Sequence, residues 1–152
     1  MGECAVNRWG KGKFRGFSAG SHPTGVVHPL TLELLNEMNY DTLQLRSKSW
    51  DEFAAPDSPN LDFVFTVCDR AAAEQCPFWP GQPITAHWGV ADPAASEGSD
   101  DEKRRFFFRV YRELENRVKI FTSLRIEALD SFALQRRVEE IGRIKLPEGR
   151  KQ

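Results

Sequence analysis

The sequence predicts a single α/β domain built on a parallel β-sheet, and three observations support this class. Two short segments, Leu61–Cys68 and Ile84–Val90, are almost continuously β-branched, aromatic or apolar, which is typical of strands covered on both faces. Segments with helical periodicity alternate with them, and such alternation favours a parallel sheet. The chain has 152 residues, the length of one domain, which we place at residues 1–145 with a flexible tail at 146–152.

The first part of the chain is predicted to contain two helices and a strand. Glu3–Trp9 has the character of the last turns of a helix that ends at Gly10. Lys13–Ser18 is predicted to be a short strand. Pro29 suits the first position of a second helix. The apolar side of that helix is expected to consist of Leu30, Leu34, Leu35 and Met38.

Capping signals mark the helices of the remaining chain. Ser49 and Glu52 have the spacing of a capping box for a short turn, and Ser99 and Glu102 have the same spacing before a long helix. Ser131 is predicted to open the last helix. The apolar residues of the last two helices recur at spacings of three and four: Phe107, Val110, Leu114, Val118 and Phe121, then Leu134, Val138 and Ile141.

Composition and charge argue against several classes of function. A net charge of −1 gives no electrostatic footprint for nucleic acid, so no nucleic-acid partner is predicted. No apolar run approaches the roughly 18 residues of a membrane span, and the first residues lack the apolar core of a secretion signal. Three cysteines without such a signal indicate reduced thiols in the cytoplasm.

Polar and reactive residues follow the predicted strands. Cys68 and Asp69 follow the strand at residues 61–68, and Asp92 follows the strand at 84–90. Ser18-Ala19-Gly20 follows the strand predicted near the N-terminus. Because ligands of open α/β sheets bind at the carboxyl ends of the strands, we expect these residues to converge on one edge of the sheet.

The cysteines allow two interpretations. Cys4 is interpreted as a packing residue, and Cys68 and Cys76 are either two more buried small hydrophobes or a redox pair. A zinc site is not predicted, because the seven-residue gap exceeds the usual spacing and only His87 could join as a third ligand. Cys68 is expected near the start of a helical turn at residues 71–75, where partial positive charge favours a thiolate. That turn would have to unwind before Cys76 could reach Cys68, which fits an exchangeable disulfide.

Asp92 and the histidines also carry alternatives. Asp92 precedes Pro93, which favours an extended conformation, and its carboxyl group is either a general acid or the cap of a loop. His22 and His28 each precede a proline and are interpreted as turn residues. His87 is interpreted as a hydrogen-bonded histidine in the core or one that supports a neighbouring functional group.

The order of these motifs resembles the arsenate reductases that have the low-molecular-weight protein tyrosine phosphatase fold. The similarity covers residues 3–142. It is carried by FSAG at 17–20, TVCD…CP at 66–77, HWG at 87–89, ADPA at 91–94 and the helical segment at 99–121.

The resemblance implies a fold, a reaction and roles for three residues. The fold has three layers, with helices on both faces of a parallel sheet. The reaction is the reduction of arsenate, or binding of a similar oxyanion, through a cysteine relay that needs no bound cofactor or metal. By motif, Cys68 is the second cysteine of the relay, Cys76 is the cysteine that resolves it as a Cys68–Cys76 disulfide, and Asp92 is the acid. An external thiol system, thioredoxin or glutaredoxin with glutathione, reduces that disulfide.

The sequence departs from the family pattern at its N-terminus. Members begin with a central strand and a C-x5-R loop that holds the oxyanion and the first nucleophile. Here the residues six positions after Cys4, Cys68 and Cys76 are glycine, glutamate and glutamine, not arginine. We therefore expect the central strand and its loop to be missing from these 152 residues. The C-x7-C gap is also one residue longer than in the thioredoxin-coupled members, which leaves the reductant open.

Two alternative functions follow from this departure. The chain could be a phosphotyrosine phosphatase of the same fold, which explains Asp92 but gives Cys68 and Cys76 no role. It could instead be a non-catalytic domain that binds a partner protein or arsenite through the two cysteines. The sequence leaves the oligomeric state open.

Overall fold

The computed structural model describes residues 1–147, and in this range it confirms the α/β class with a parallel sheet. Three short 3-10 helices accompany the α-helices and strands. The α-helices and strands are, in chain order, α1 (Gly2–Trp9), α2 (Pro29–Glu37), β1 (Phe63–Thr66), α3 (Asp69–Ala73), β2 (Ile84–His87), α4 (Asp100–Thr122) and α5 (Ser131–Gly142). Residues 148–152 of the predicted tail lie outside the described residues.

The sheet consists of β1 and β2, which pair in parallel with Phe63 opposite Ile84 and Thr66 opposite His87. Both strands are shorter than predicted. All four residues of β1 are half-buried, whereas β2 alternates between half-buried and exposed residues. The prediction that both strands are covered on both faces is therefore wrong for β2, because Thr85 points to solvent on the face away from the core.

The larger hydrophobic core lies between the sheet and helices α1, α4 and α5. Phe121 of α4 occupies its centre, with ring centroids 5.0 Å from Phe63, 5.2 Å from Phe65 and 5.8 Å from Trp88. Removing such a buried ring typically costs about 3–5 kcal/mol of stability. The buried residues of this core are Ala5, Trp88, Val118, Phe121, Leu134, Val138 and Ile141. The helix faces predicted from the apolar spacing are confirmed.

A smaller core joins α1, α2 and α4. Its buried residues are Cys4, Leu34, Leu35, Phe107 and Tyr111. The hydroxyl groups of Tyr40 and Tyr111 lie 2.6 Å apart at its edge. Burial raises the pKa of the Cys4 thiol, so this side chain packs as an apolar group, as predicted.

The strand predicted at Lys13–Ser18 is wrong. This segment has no regular structure, and its Gly16 N–H donates to the Asn7 side chain of α1 rather than to a neighbouring strand. A strand is stable only when its backbone groups pair with another strand. Along residues 1–147 the nearest ladder contact is an isolated parallel bridge between Gly20 and Ser49.

The two predicted capping boxes differ in outcome. Ser99 accepts a hydrogen bond from the Glu102 N–H, and the Glu102 carboxylate accepts one from the Ser99 N–H, so the box at α4 is complete. Ser49 caps the predicted short turn, a 3-10 helix at Trp50–Phe53, by accepting a hydrogen bond from the Asp51 N–H. The box is incomplete because the Glu52 carboxylate binds the Arg46 guanidinium and not the Ser49 N–H. Competition from a nearby arginine therefore breaks the second box.

No helix of the described chain, the 23-residue α4 included, is apolar enough to cross a membrane.

The outer edge of β1 predicts weak stability for the 152-residue chain. On the side away from β2, this edge has no strand partner among residues 1–147. Such an edge readily pairs with another chain. We expect concentration-dependent self-association in analytical ultracentrifugation and a broad thermal transition. A monomer that unfolds cooperatively with a Tm in the ordinary range of about 45–65 °C would contradict this.

The capping box at α4 predicts a pH-dependent contribution to stability. Hydrogen bonds from the backbone N–H and the side chain of Ser99 lower the pKa of Glu102 in the folded state. A lowered folded-state pKa means that the contribution is present above the unfolded-state pKa and is lost as the pH falls through the folded-state pKa. Glu102→Ala should therefore lower the Tm at neutral pH and have no effect in strong acid. Glu97→Ala is the control, and a deficit of the Glu102 variant that persists in acid would contradict the interpretation.

Candidate functional site

The parallel register brings the carboxyl ends of both strands together. Beyond the last ladder pair, the Trp88 N–H donates to the Thr66 carbonyl at 2.7 Å, and the Val90 N–H donates to the Val67 carbonyl at 2.8 Å. The loops that carry Cys68 and Asp92 therefore leave the sheet from the same end. This part of the predicted convergence is confirmed.

Cys68 caps the short helix α3. Its backbone is extended, and its Sγ accepts a hydrogen bond from the Ala71 N–H at 3.4 Å. This contact fixes the direction of a half-buried thiol at the start of the helix, where the sequence predicted it. The prediction of a helical turn between the cysteines is confirmed, although α3 begins earlier than expected, at Asp69, and ends at Ala73.

Cys76 lies beyond the end of α3, and its thiol is exposed. Cys68 is half-buried and Cys76 is exposed, so neither has the full burial that the packing interpretation expects. Farther along the chain, Trp79 is buried and meets Trp50 edge-on, with ring centroids 6.2 Å apart. The segment at residues 68–76 therefore lies between β1 and a buried tryptophan.

Two histidines contact the segment between the cysteines. The His87 Nε2 lies 2.8 Å from Oδ1 of Asp69, the first residue of α3. The His22 Nδ1 lies 3.4 Å from the carboxylate of Glu74, just after α3. His87 is hydrogen-bonded as predicted, but it lies at the surface and not in the core. Neither pairing was predicted, because each joins residues that are far apart in sequence.

Asp92 caps a short turn. Its backbone is extended, as predicted for a residue before proline, and its Oδ1 accepts a hydrogen bond from the Ala94 N–H at 2.9 Å. The turn is a 3-10 helix at Pro93–Ala95. The capping role is thus present. The role of the exposed Asp92 side chain as a general acid stays a prediction.

The FSAG segment is engaged with the N-terminal helix. The Ser18 hydroxyl donates to the Glu3 carboxylate at 2.5 Å, and the Lys48 amine lies 3.6 Å from the same carboxylate. Gly20 pairs through its backbone with Lys48 and Trp50. Two residues after this segment, His22 contacts Glu74 between the two cysteines.

Trp88 and a buried arginine fix the HWG motif. The Trp88 ring stacks on Phe65 at a centroid distance of 3.9 Å, and its Nε1 donates to the Val138 carbonyl. The Arg117 guanidinium, 2% exposed, donates to the carbonyls of Trp88 and Gly89. It also donates to the Ile144 carbonyl and pairs with a glutamate of α4 at 2.8 Å.

Burial lowers the pKa of Arg117, and the neighbouring carboxylate of Glu113 opposes that effect. The sequence offered a signal for this residue. Arg117 follows Leu114 by three positions and precedes Phe121 by four, which places it on the apolar stripe of α4.

The described residues contain no group of three or more His, Cys, Asp or Glu side chains arranged to hold a metal ion.

Comparison with known proteins finds one matching family model and a set of named relatives. The model described as low molecular weight phosphotyrosine protein phosphatase matches residues 3–132. A protein named arsenate reductase from Halalkalibacterium halodurans is 36% identical over 118 residues, which cover 74% of this chain and 81% of that relative. Proteins of the same name from Bacillus subtilis and Bacillus licheniformis are 34% and 36% identical over 69% of this chain and 72% of theirs.

Arg117 generates a prediction about stability. Arg117→Met leaves three carbonyl groups and the Glu113 carboxylate without their donor, and removing one partner of a buried ion pair costs about 3–5 kcal/mol. Urea unfolding measures the loss. Arg137→Met is the matched control, since that side chain is half exposed and pairs only with Glu140 in the described structure. Equal and small losses for both variants would refute a structural role for Arg117.

Proposed function

The chain belongs to the low molecular weight phosphotyrosine protein phosphatase family, and within that family we propose that it is an arsenate reductase whose reducing equivalents reside on Cys68 and Cys76. The observation that carries the proposal is the pair of free thiols on either side of α3, one capping the helix and one exposed beyond it. The relatives named arsenate reductase, which match over 69–74% of this chain, support arsenate as the substrate.

In the proposed reaction the two thiols supply two electrons. Arsenate and two thiols give arsenite, one disulfide and one water, so As(V) is reduced to As(III) while Cys68 and Cys76 are oxidised. The C-x5-R loop that binds the oxyanion in the family pattern does not occur in the 152 residues. The steps assigned to this chain therefore follow the formation of an arsenic–thiol adduct on the loop cysteine of the family pattern. Cys68 attacks the sulfur of that adduct, the As–S bond breaks with release of arsenite, and a disulfide forms between Cys68 and the loop cysteine. Cys76 then attacks the Cys68 sulfur, which forms the Cys68–Cys76 disulfide and returns the loop thiol.

We infer that α3 opens when the disulfide forms. Seven residues separate the two cysteines, and the five that form α3 rise about 7.5 Å along its axis, whereas the Cα atoms of a disulfide lie about 4.4–6.8 Å apart. Opening is inexpensive, because α3 buries no residue and a helix this short has little stability of its own. The Sγ of Cys68 must also release the Ala71 N–H before it bonds with the second sulfur.

The remaining roles complete the proposal. In its protonated form, the Asp92 carboxyl group donates a proton to the oxygen that leaves arsenic as the arsenic–thiol adduct forms. The exposure of this side chain supports that assignment, and the contact described for it is with the Ala94 N–H. Exposure of Cys76 supports reduction by an external dithiol system, thioredoxin or glutaredoxin with glutathione. We place the protein in the cytoplasm, where such systems keep thiols reduced.

A non-catalytic domain is the second candidate, and it rests on the same pair of free thiols at Cys68 and Cys76. Such a domain would bind arsenite or a partner protein through the same two thiols.

The cysteine relay predicts the behaviour of single cysteine variants. For a protein that carries a C-x5-R loop together with these residues, Cys68→Ser should abolish turnover in an assay of arsenate-dependent NADPH oxidation with thioredoxin and its reductase. Cys76→Ser should permit at most one slow turnover. Cys4→Ala should retain the wild-type rate, because that thiol lies in the smaller core.

Three results would contradict the relay. Full arsenate reduction by both the Cys68 and the Cys76 variant would refute it directly. Hydrolysis of p-nitrophenyl phosphate without arsenate reduction would favour a phosphatase. Tight arsenite binding by the wild-type chain without either activity would favour the non-catalytic domain.

A further inference from the structure

His87 joins the residues on both sides of Cys68. Its Nδ1 lies 2.8 Å from the Thr66 hydroxyl, and its Nε2 lies 2.8 Å from the Asp69 carboxylate. In the tautomer that carries its proton on Nε2, the ring donates to the Asp69 carboxylate and accepts a hydrogen bond from the Thr66 hydroxyl at Nδ1. One ring thus connects the end of β1 with the start of α3.

Gly89 leaves the space that this contact needs. A Cβ at position 89 would lie 2.6 Å from the His87 Nε2 and 3.1 Å from the Asp69 Oδ1. Its φ angle does not lie in the left-handed region, so the missing side chain, and not an unusual backbone, is what position 89 contributes. The His87–Asp69 contact therefore depends on a glycine two residues later.

The anchor of His87 is rigid compared with the segment it holds. Trp88, the next residue, is 2% exposed, and its carbonyl accepts a hydrogen bond from Arg117. α3 has no buried residue. A contact from a fixed strand to the first residue of a marginal helix stabilises the helical arrangement of the whole segment.

We propose that His87 is a positioning residue for the cysteine pair, which holds Asp69 in the space left by Gly89 and so stabilises the helical, dithiol form of residues 68–76. Its importance for arsenate reduction rests on the function proposed above. Because we infer that α3 opens when the Cys68–Cys76 disulfide forms, the His87 contact opposes oxidation of the two thiols and favours reduction of the disulfide. The side chains involved are largely exposed, which limits the effect to a few-fold.

The first test measures the thiol–disulfide equilibrium of Cys68 and Cys76 in mixtures of reduced and oxidised glutathione. Oxidised glutathione takes two electrons and two protons from the thiols and becomes two molecules of reduced glutathione. His87→Ala and Gly89→Ala should each shift the equilibrium towards the disulfide by about two- to five-fold. Asp69→Ala should do the same, and the His87→Ala, Asp69→Ala double variant should shift it no further, because both changes remove one contact.

His28→Gln is the control, because His28 caps α2 and any effect there is one of general stability. An unchanged equilibrium in the His87 and Gly89 variants, or a shift no larger than that of the control, would overturn the proposal.

The second test does not depend on the disulfide. Hydrogen exchange should show that the amides of Ala71 and Ala72, which are hydrogen-bonded to Cys68, exchange about two- to five-fold faster in His87→Ala and Gly89→Ala. Unchanged exchange would refute the positioning role. If the wild-type chain formed no Cys68–Cys76 disulfide, the relay would fail, and this exchange measurement would still decide whether His87 holds α3.

Discussion

The parallel pairing of β1 with β2 is the constraint on which the candidate site depends. It sets Thr66 beside His87, and Trp88 then holds that register by stacking on Phe65 while its indole N–H reaches α5. A shift of one residue would turn Trp88 towards solvent and move His87 into the core. The geometry around Cys68 is therefore a consequence of how one tryptophan is buried.

The sequence predicted the helices well because their signals are local. The apolar stripes of α4 and α5 and the box formed by Ser99 and Glu102 involve residues within a few positions of each other. The strand predicted at Lys13–Ser18 failed because strand formation depends on a partner that periodicity does not reveal. The second capping box failed for a related reason, since the competing Arg46 lies outside the motif.

The candidate site was predictable only in part. The position of Cys68 at a helix start and of Asp92 before a proline follow from neighbouring residues. The contacts of His87 with Asp69 and of His22 with Glu74 join residues 18 and 52 positions apart, counted along the chain, and depend on the strand register and loop path. The reason for a glycine at position 89 follows only from the structure, in which the His87 imidazole occupies the space that a side chain of residue 89 would need.

The Trp50–Trp79 pair has a practical consequence. The two indoles meet edge-on, and Trp79 lies three residues after Cys76 in a chain that contains four tryptophans. Aromatic rings this close couple optically, and the coupling depends on their relative orientation. Movement of the chain beyond Cys76 would alter near-ultraviolet circular dichroism and indole fluorescence, so the protein carries its own optical reporter of the state of the cysteine segment.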